Sequence, residues 1–108
     1  MTAAEFRRLA LSLPEAVESS HMNHPDFRVG GKIFATLGPD ETWGMVKLTP
    51  REQADALRRA RDVITRASGA WGRRGSTIIQ LAEADTAMIE ELLTAAWRNV
   101  APKRLLDE

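Results

Sequence analysis

The segment Phe27-Arg28-Val29-Gly30-Gly31-Lys32-Ile33-Phe34-Ala35-Thr36-Leu37 constrains the fold more than any other part of this chain. Apolar residues flank a Gly-Gly pair, and glycine reaches the positive φ angles of a type I′ turn without steric cost. The segment therefore predicts two short antiparallel strands joined by a two-residue turn. Strict alternation in the second strand sends Ile33, Ala35 and Leu37 to one face, and Phe34 and Thr36 to the other. Arg28 and Lys32 stand at the mouth, which gives the hairpin a basic tip.

Helical and extended patterns alternate around this hairpin. Phe6, Leu9, Ala10 and Leu13 form the buried stripe of a first helix that Pro14 stops. Residues 15–25 are polar and irregular and read as a loop. Gly38-Pro39-Asp40-Glu41-Thr42 has turn chemistry, and Trp43 to Leu48 reads as a third strand. Thr49-Pro50-Arg51-Glu52 marks a helix start: Thr49 is the N-cap, Pro50 suits the first helical position, and Glu52 completes a capping box. That helix is expected to run to about Ala60. Its thin stripe of Ala54, Leu57 and Ala60 or Arg61 suits the edge of a core.

Val63-Ile64-Thr65 is β-prone, Gly69 to Gly75 is a glycine-rich loop, and Ser76 to Leu81 is a strand of β-branched residues. Asp85 can cap a last helix whose stripe of Ile89, Leu92, Leu93, Ala96, Trp97 and Val100 is the broadest in the chain. Ala101-Pro102 ends it, and Leu105 and Leu106 are placed to fold back on the core. The order α-β-β-β-α-(β)-β-α predicts an α+β fold, a two-layer sandwich with an antiparallel sheet and helices packed on one face. Residues 1–108 read as a single domain.

The chain has no cysteine. Disulfides, thiol nucleophiles and Cys-ligated zinc or iron–sulfur sites are excluded. The amphipathic start, with Glu5, Arg7 and Arg8, lacks the apolar core of a signal peptide, and no run approaches the ~20 apolar residues of a membrane span. A cytoplasmic protein with no membrane partner is expected. The formal net charge is +0, which argues against a strong nonspecific polyanion binder. The charge is unevenly spread, however. Arg51 to Arg74 holds seven arginines against Glu52, Asp55 and Asp62, so that segment carries +4 and the rest of the chain −4. Such asymmetry can build a local basic face. Arg58, Arg59 and Arg61 read more simply as a solvated helix face with ion pairs one turn apart.

Few residues point to chemistry. His21 and His24 have the spacing of two metal ligands on a helical turn, with Asp26 or Glu18 as conceivable third ligands. The simpler reading is two exposed loop imidazoles, and no metal site is expected. Gly30-Gly31-Lys32 lacks the spacing and the following helix of a phosphate loop, so it carries no nucleotide. The carboxylates are scattered and no nucleophile elbow is present, so no catalytic residue is expected. A pocket joining an imidazole to a carboxylate would revive an enzymatic reading. Gly69-Ala70-Trp71-Gly72-Arg73-Arg74-Gly75 is the better functional candidate. Glycines let backbone amides approach an anion, Arg73 and Arg74 offer forked donors to phosphate, and Trp71 can stack or anchor the loop. A surface loop with a buried Trp71 and two solvated arginines remains the alternative.

Four pieces of the chain together resemble the MmcQ/YjbR family of small bacterial proteins. They are Leu11-Ser12-Leu13-Pro14-Glu15, the Phe27–Leu37 hairpin, Val46-Lys47-Leu48-Thr49-Pro50, and Ala96-Trp97 with Ala101-Pro102-Lys103. The resemblance implies a CyaY-like α/β sandwich, similar in fold to the bacterial frataxin homologue. It also implies DNA binding through a double wing of two hairpins. Carried onto this chain, the first wing is the hairpin with Arg28 and Lys32. The second is the loop before Ser76 with Arg73 and Arg74, and Lys47 is a flanking contact. Relatives carry an Asn-, His- or Lys-rich stretch where this chain has Trp71 to Gly75. Contact with the backbone of double-stranded DNA is therefore expected rather than base readout. The acidic first helix of an iron-binding frataxin is missing, since Arg7 and Arg8 oppose Glu5. Neither a metal nor any other cofactor is expected, and a monomer is favoured. The competing reading is a non-enzymatic protein- or small-ligand-binding module.

Overall fold

The computed structural model describes residues 1–106. Helix α1 (Ala3–Leu11) leads into a hairpin of β1 (Val17–His21) and β2 (His24–Val29), then β3 (Lys32–Leu37) and β4 (Trp43–Lys47). Helix α2 (Pro50–Arg59), β5 (Ile64–Arg66), a short α3 (Gly69–Arg73) and β6 (Ser76–Gln80) follow. A 3₁₀ turn, Leu81–Glu83, precedes the long α4 (Thr86–Val100) and the final turn α5 (Lys103–Leu106). The six strands form one antiparallel sheet in the order β1-β2-β3-β4-β6-β5.

The helix starts follow from their capping residues. Thr2 and Thr49 each accept from the backbone of Glu5 and Glu52, whose carboxylates reach back to the cap amides, and Asp85 caps α4 through the Met88 amide. One face of the sheet packs against the helices. Phe27, Ala35, Leu37, Val46 and Ile79 pair across strands on that face and meet Phe6 of α1 and Ile89 and Leu93 of α4 in the core. Gln53 of α2 reaches the same face at Thr77. The opposite face carries none of these helices.

Four expectations are corrected. Residues 15–25 are not a loop throughout, because Val17–His21 forms the edge strand β1. Its turn is built on Met22 (φ 48°) and Asn23 (φ 66°), which hold the left-handed angles with no glycine. The β2–β3 turn has the expected geometry, with Gly30 at φ 58° and Gly31 at φ 79°. In β3 the alternation fails. A bulge pairs Phe27 with Ala35 but Arg28 with Ile33, which leaves Phe34 as the extra residue. The bulge turns Phe34 into the core beside Ala35 and puts Ile33 on the same face as Thr36. Gly69–Arg73 is a helical turn rather than a loop, although it still joins two antiparallel strands. Lastly, the buried residues of α2 are Gln53 and Ala56, one position away from the expected stripe.

Candidate functional site

The open face of the sheet is where polar and exposed aromatic residues gather. On β2, period two places His24, Asp26 and Arg28 on this face. Asp26 is fully buried, yet it is ionised and well coordinated. Arg28 donates to it from Nε at 2.8 Å and from the guanidinium terminus at 3.0 Å, and His21 Nδ1 lies 2.7 Å from the other side. The register explains the second contact. His21 faces His24 and Ser19 faces Asp26, so His21 and Asp26 are diagonal neighbours across the β1–β2 hairpin. The Arg28 guanidinium, with help from His21, holds the Asp26 carboxyl below the usual carboxylate range. An ionised carboxylate only accepts, so His21 Nδ1 carries the shared hydrogen.

The two imidazoles are therefore neither loop residues nor free. Their rings stack with centroids 5.6 Å apart, and His24 also meets the Trp43 ring at 5.8 Å. Among the described residues no three His, Asp or Glu side chains converge in a way that could hold a metal ion. His21 oriented by Asp26 has the geometry of an aligned imidazole. Arg28 already neutralises that carboxylate, and Ser76 lies at the far end of the sheet by register. The arrangement fits a fixed polar anchor better than a proton-transfer pair.

Next to Asp26 the same face sinks into a cleft of about 370 Å³. Ile33, Met45 and Thr36 form its floor, Lys47 and Ser76 lie toward one end, His21 and Met22 toward the other, and Trp71 closes over it from α3. Thr36 is 3% exposed, and its Oγ1 is buried with no hydrogen-bond partner among the described residues. Trp71 and Met22 are the opposite case, large apolar side chains 63% and 87% exposed.

The strand directions collect cations at one end of the sheet, Lys47 on this face and Lys32 and Arg66 on the helix-covered one, opposite Val29 and Thr77. Lys32 begins β3, Lys47 ends β4 opposite Ser76, and Arg66 ends β5 opposite Thr77. Arg73 and Arg74 immediately precede β6. All except the half-buried Lys47 are exposed. Among the described residues none of the five is in an ion pair. Lys32, Lys47, Arg73 and Arg74 thus lie at one end of the sheet, and Arg66 with them. Arg28 sits at the hairpin mouth but commits Nε and one terminal nitrogen to Asp26. Arg58 and Arg59 are paired with Asp55, and Arg59 also with Glu91, as the helix-face reading requires, whereas Arg61 lies past the end of α2 and is in no ion pair among the described residues.

Gln53 fixes the second cationic segment and was not visible in the sequence as a functional residue. Its side-chain amide, 2% exposed, lies 3.0 Å from the Gly72 and Ser76 carbonyls and 3.1 Å from Thr77 Oγ1. It ties α2 to both ends of the Arg73–Arg74 stretch.

A family model described as YjbR matches residues 11–99. A comparison with curated proteins finds no match. Among solved structures, the Deinococcus radiodurans protein DR2400, described as having a DUF419 domain, superposes with a TM-score of 0.77 at 17% identity, covering 92% of this chain and 78% of that one. A Pseudomonas syringae protein superposes with a TM-score of 0.70 at 15% identity, over 92% of this chain and 98% of that one. These likenesses establish the α+β fold.

Proposed function

The chain belongs to the YjbR family, and we propose that it binds DNA without catalysis, through the basic end of its sheet. The observation that carries this reading is the gathering of Lys32, Lys47, Arg66, Arg73 and Arg74 at one sheet end, with no ion-pair partner among the described residues. Zero net charge is compatible with it, because opposite charge is held elsewhere. Asp40 and Glu41 occupy the β3–β4 turn at the other end of the sheet, while Glu15, Glu18 and Glu91 are engaged with Arg104, Arg7 and Arg59. A phosphate backbone crossing the β2–β3 turn and α3 meets Lys32 on one side and Arg73 and Arg74 on the other, with Lys47 between. Arg28 supports the platform through Asp26 rather than contacting phosphate.

Fluorescence anisotropy of a labelled duplex over a salt series tests the reading. Four phosphate contacts give a log–log salt slope of about −3.6, and loss of two contacts in Arg73→Ala/Arg74→Ala lowers it to about −1.8. A double variant that binds with the wild-type affinity and slope would refute the assignment.

A further inference from the structure

We infer that the cleft on the open face receives a single unstacked nucleobase, so that the preferred partner is a strand with an unpaired nucleotide rather than an unbroken duplex. This rests on the DNA-binding reading above and specifies which nucleic acid the same surface selects.

Three features of the cleft carry the inference. The first is its shape and lining. About 370 Å³ is at the small end of ligand clefts, and Ile33, Met45, Met22 and Trp71 offer flat or adaptable apolar surface. The second is Trp71. An indole 63% exposed beside arginines that are in no ion pair among the described residues is the arrangement that single-strand binders use, because an aromatic face stacks on any base. The third is Thr36. A buried hydroxyl without a partner is costly inside a protein, and Thr36, whose hydroxyl has none among the described residues, lines the cleft. The edge of a base can supply either a donor or an acceptor to it. A hydroxyl fills both roles, so the cleft accepts a base without choosing its identity.

The surroundings place the rest of the nucleotide. Lys47 lies in the cleft wall, and Lys32, Arg73 and Arg74 lie at the same end of the sheet, where flanking phosphates would run. Among the described residues no carboxylate lines the cleft, and the nearby Asp26 is spent on Arg28 and His21. A duplex lying across the cationic end would keep its bases stacked and leave both the cleft and the Thr36 hydroxyl unused.

The test compares two labelled probes of identical sequence, a perfect duplex and the same duplex carrying one extra unpaired thymine. Wild-type protein is expected to bind the bulged probe about 10-fold more tightly. Thr36→Val, which keeps the shape of the side chain, and Trp71→Ala, on the surface, are each expected to abolish most of that preference while leaving affinity for the perfect duplex unchanged. Melting curves confirm that both variants fold. Equal affinity of the wild type for the two probes overturns the inference and leaves the DNA-binding reading standing. A preference that survives both substitutions also overturns it, because the base then lies elsewhere. Failure to bind either probe overturns both readings together.

Discussion

Replacing Gln53 with methionine isolates the bonds that hold the Arg73–Arg74 segment in place. Methionine keeps an unbranched side chain of similar length and removes the amide. That amide has two hydrogens and three acceptors within reach, the carbonyls of Gly72 and Ser76 and the Thr77 hydroxyl, so it makes two full-strength bonds at a time. Both carbonyls keep another donor, Gly75 N at 3.1 Å for Gly72 and Ala67 N at 3.0 Å for Ser76. Neither is orphaned, and the loss is the net value of two hydrogen bonds, about 2 kcal/mol. For 108 residues the unfolding entropy is about 0.23 kcal/mol/K, so the melting temperature should fall by about 9 °C. Calorimetry measures the fall, and hydrogen exchange at the Gly72–Thr77 amides reports whether the loosening is local. Faster exchange confined to this stretch, with α4 still protected, is the expected result. An unchanged or raised melting temperature would refute the view that Gln53 bridges α2 to α3 and β6.

Three other substitutions follow from the same physical reasoning. Gly75 has φ +116°, and a Cβ there would lie 1.8 Å from the Leu48 carbonyl oxygen, so Gly75→Ala should cost about 4 kcal/mol or more in urea unfolding. Thr36→Val should be at least as stable as the wild type by the same measurement, since it removes a buried hydroxyl that has no partner among the described residues. Asp26→Asn should destabilise the protein at neutral pH. The Asp26 carboxyl is held below its ordinary value chiefly by Arg28, so its contribution is present above the usual carboxylate range of about 3.9 and disappears as pH falls through the lower folded value. Stability curves of the two proteins should therefore converge in acid, and a gap that widened there would contradict the Arg28–Asp26 pairing.

The parts of the fold that were legible are those with local chemistry. Two glycines at positive φ announce the β2–β3 turn, a capping box announces α2, and apolar stripes announce α1 and α4. Strand β1 was not legible because it is an edge strand with a mostly exposed Val17-Glu18-Ser19-Ser20 run, which lacks alternation, and because its turn uses Met22 and Asn23 without glycine. The bulge at Phe34 was hidden for a different reason. One inserted residue reverses the faces on one side of it, and only the pairing with β2 shows where it falls.

The site was legible in the same uneven way. Lys32, Lys47, Arg73 and Arg74 could be named from the sequence, and the strand directions then placed them at one end. The contact of His21 with Asp26 depends on the β1–β2 register and so was missed along with β1. Its one local sign is the alternation His24-Pro25-Asp26-Phe27-Arg28, which puts an imidazole, a carboxylate and a guanidinium on one face of a strand. Gln53 escaped because a polar residue on a helix reads as solvent-facing unless its buried acceptors are known.

The most direct test of the account is to follow backbone amide resonances as a duplex with one unpaired thymine is added to the intact protein at low salt. The account predicts shifts clustered at Lys32–Ile33, Thr36, Met45–Lys47 and Trp71–Ser76, with the exposed side of α4 and the Asp40–Glu41 turn unmoved. Shifts confined to the helix-covered face, or none at saturating DNA, would contradict it.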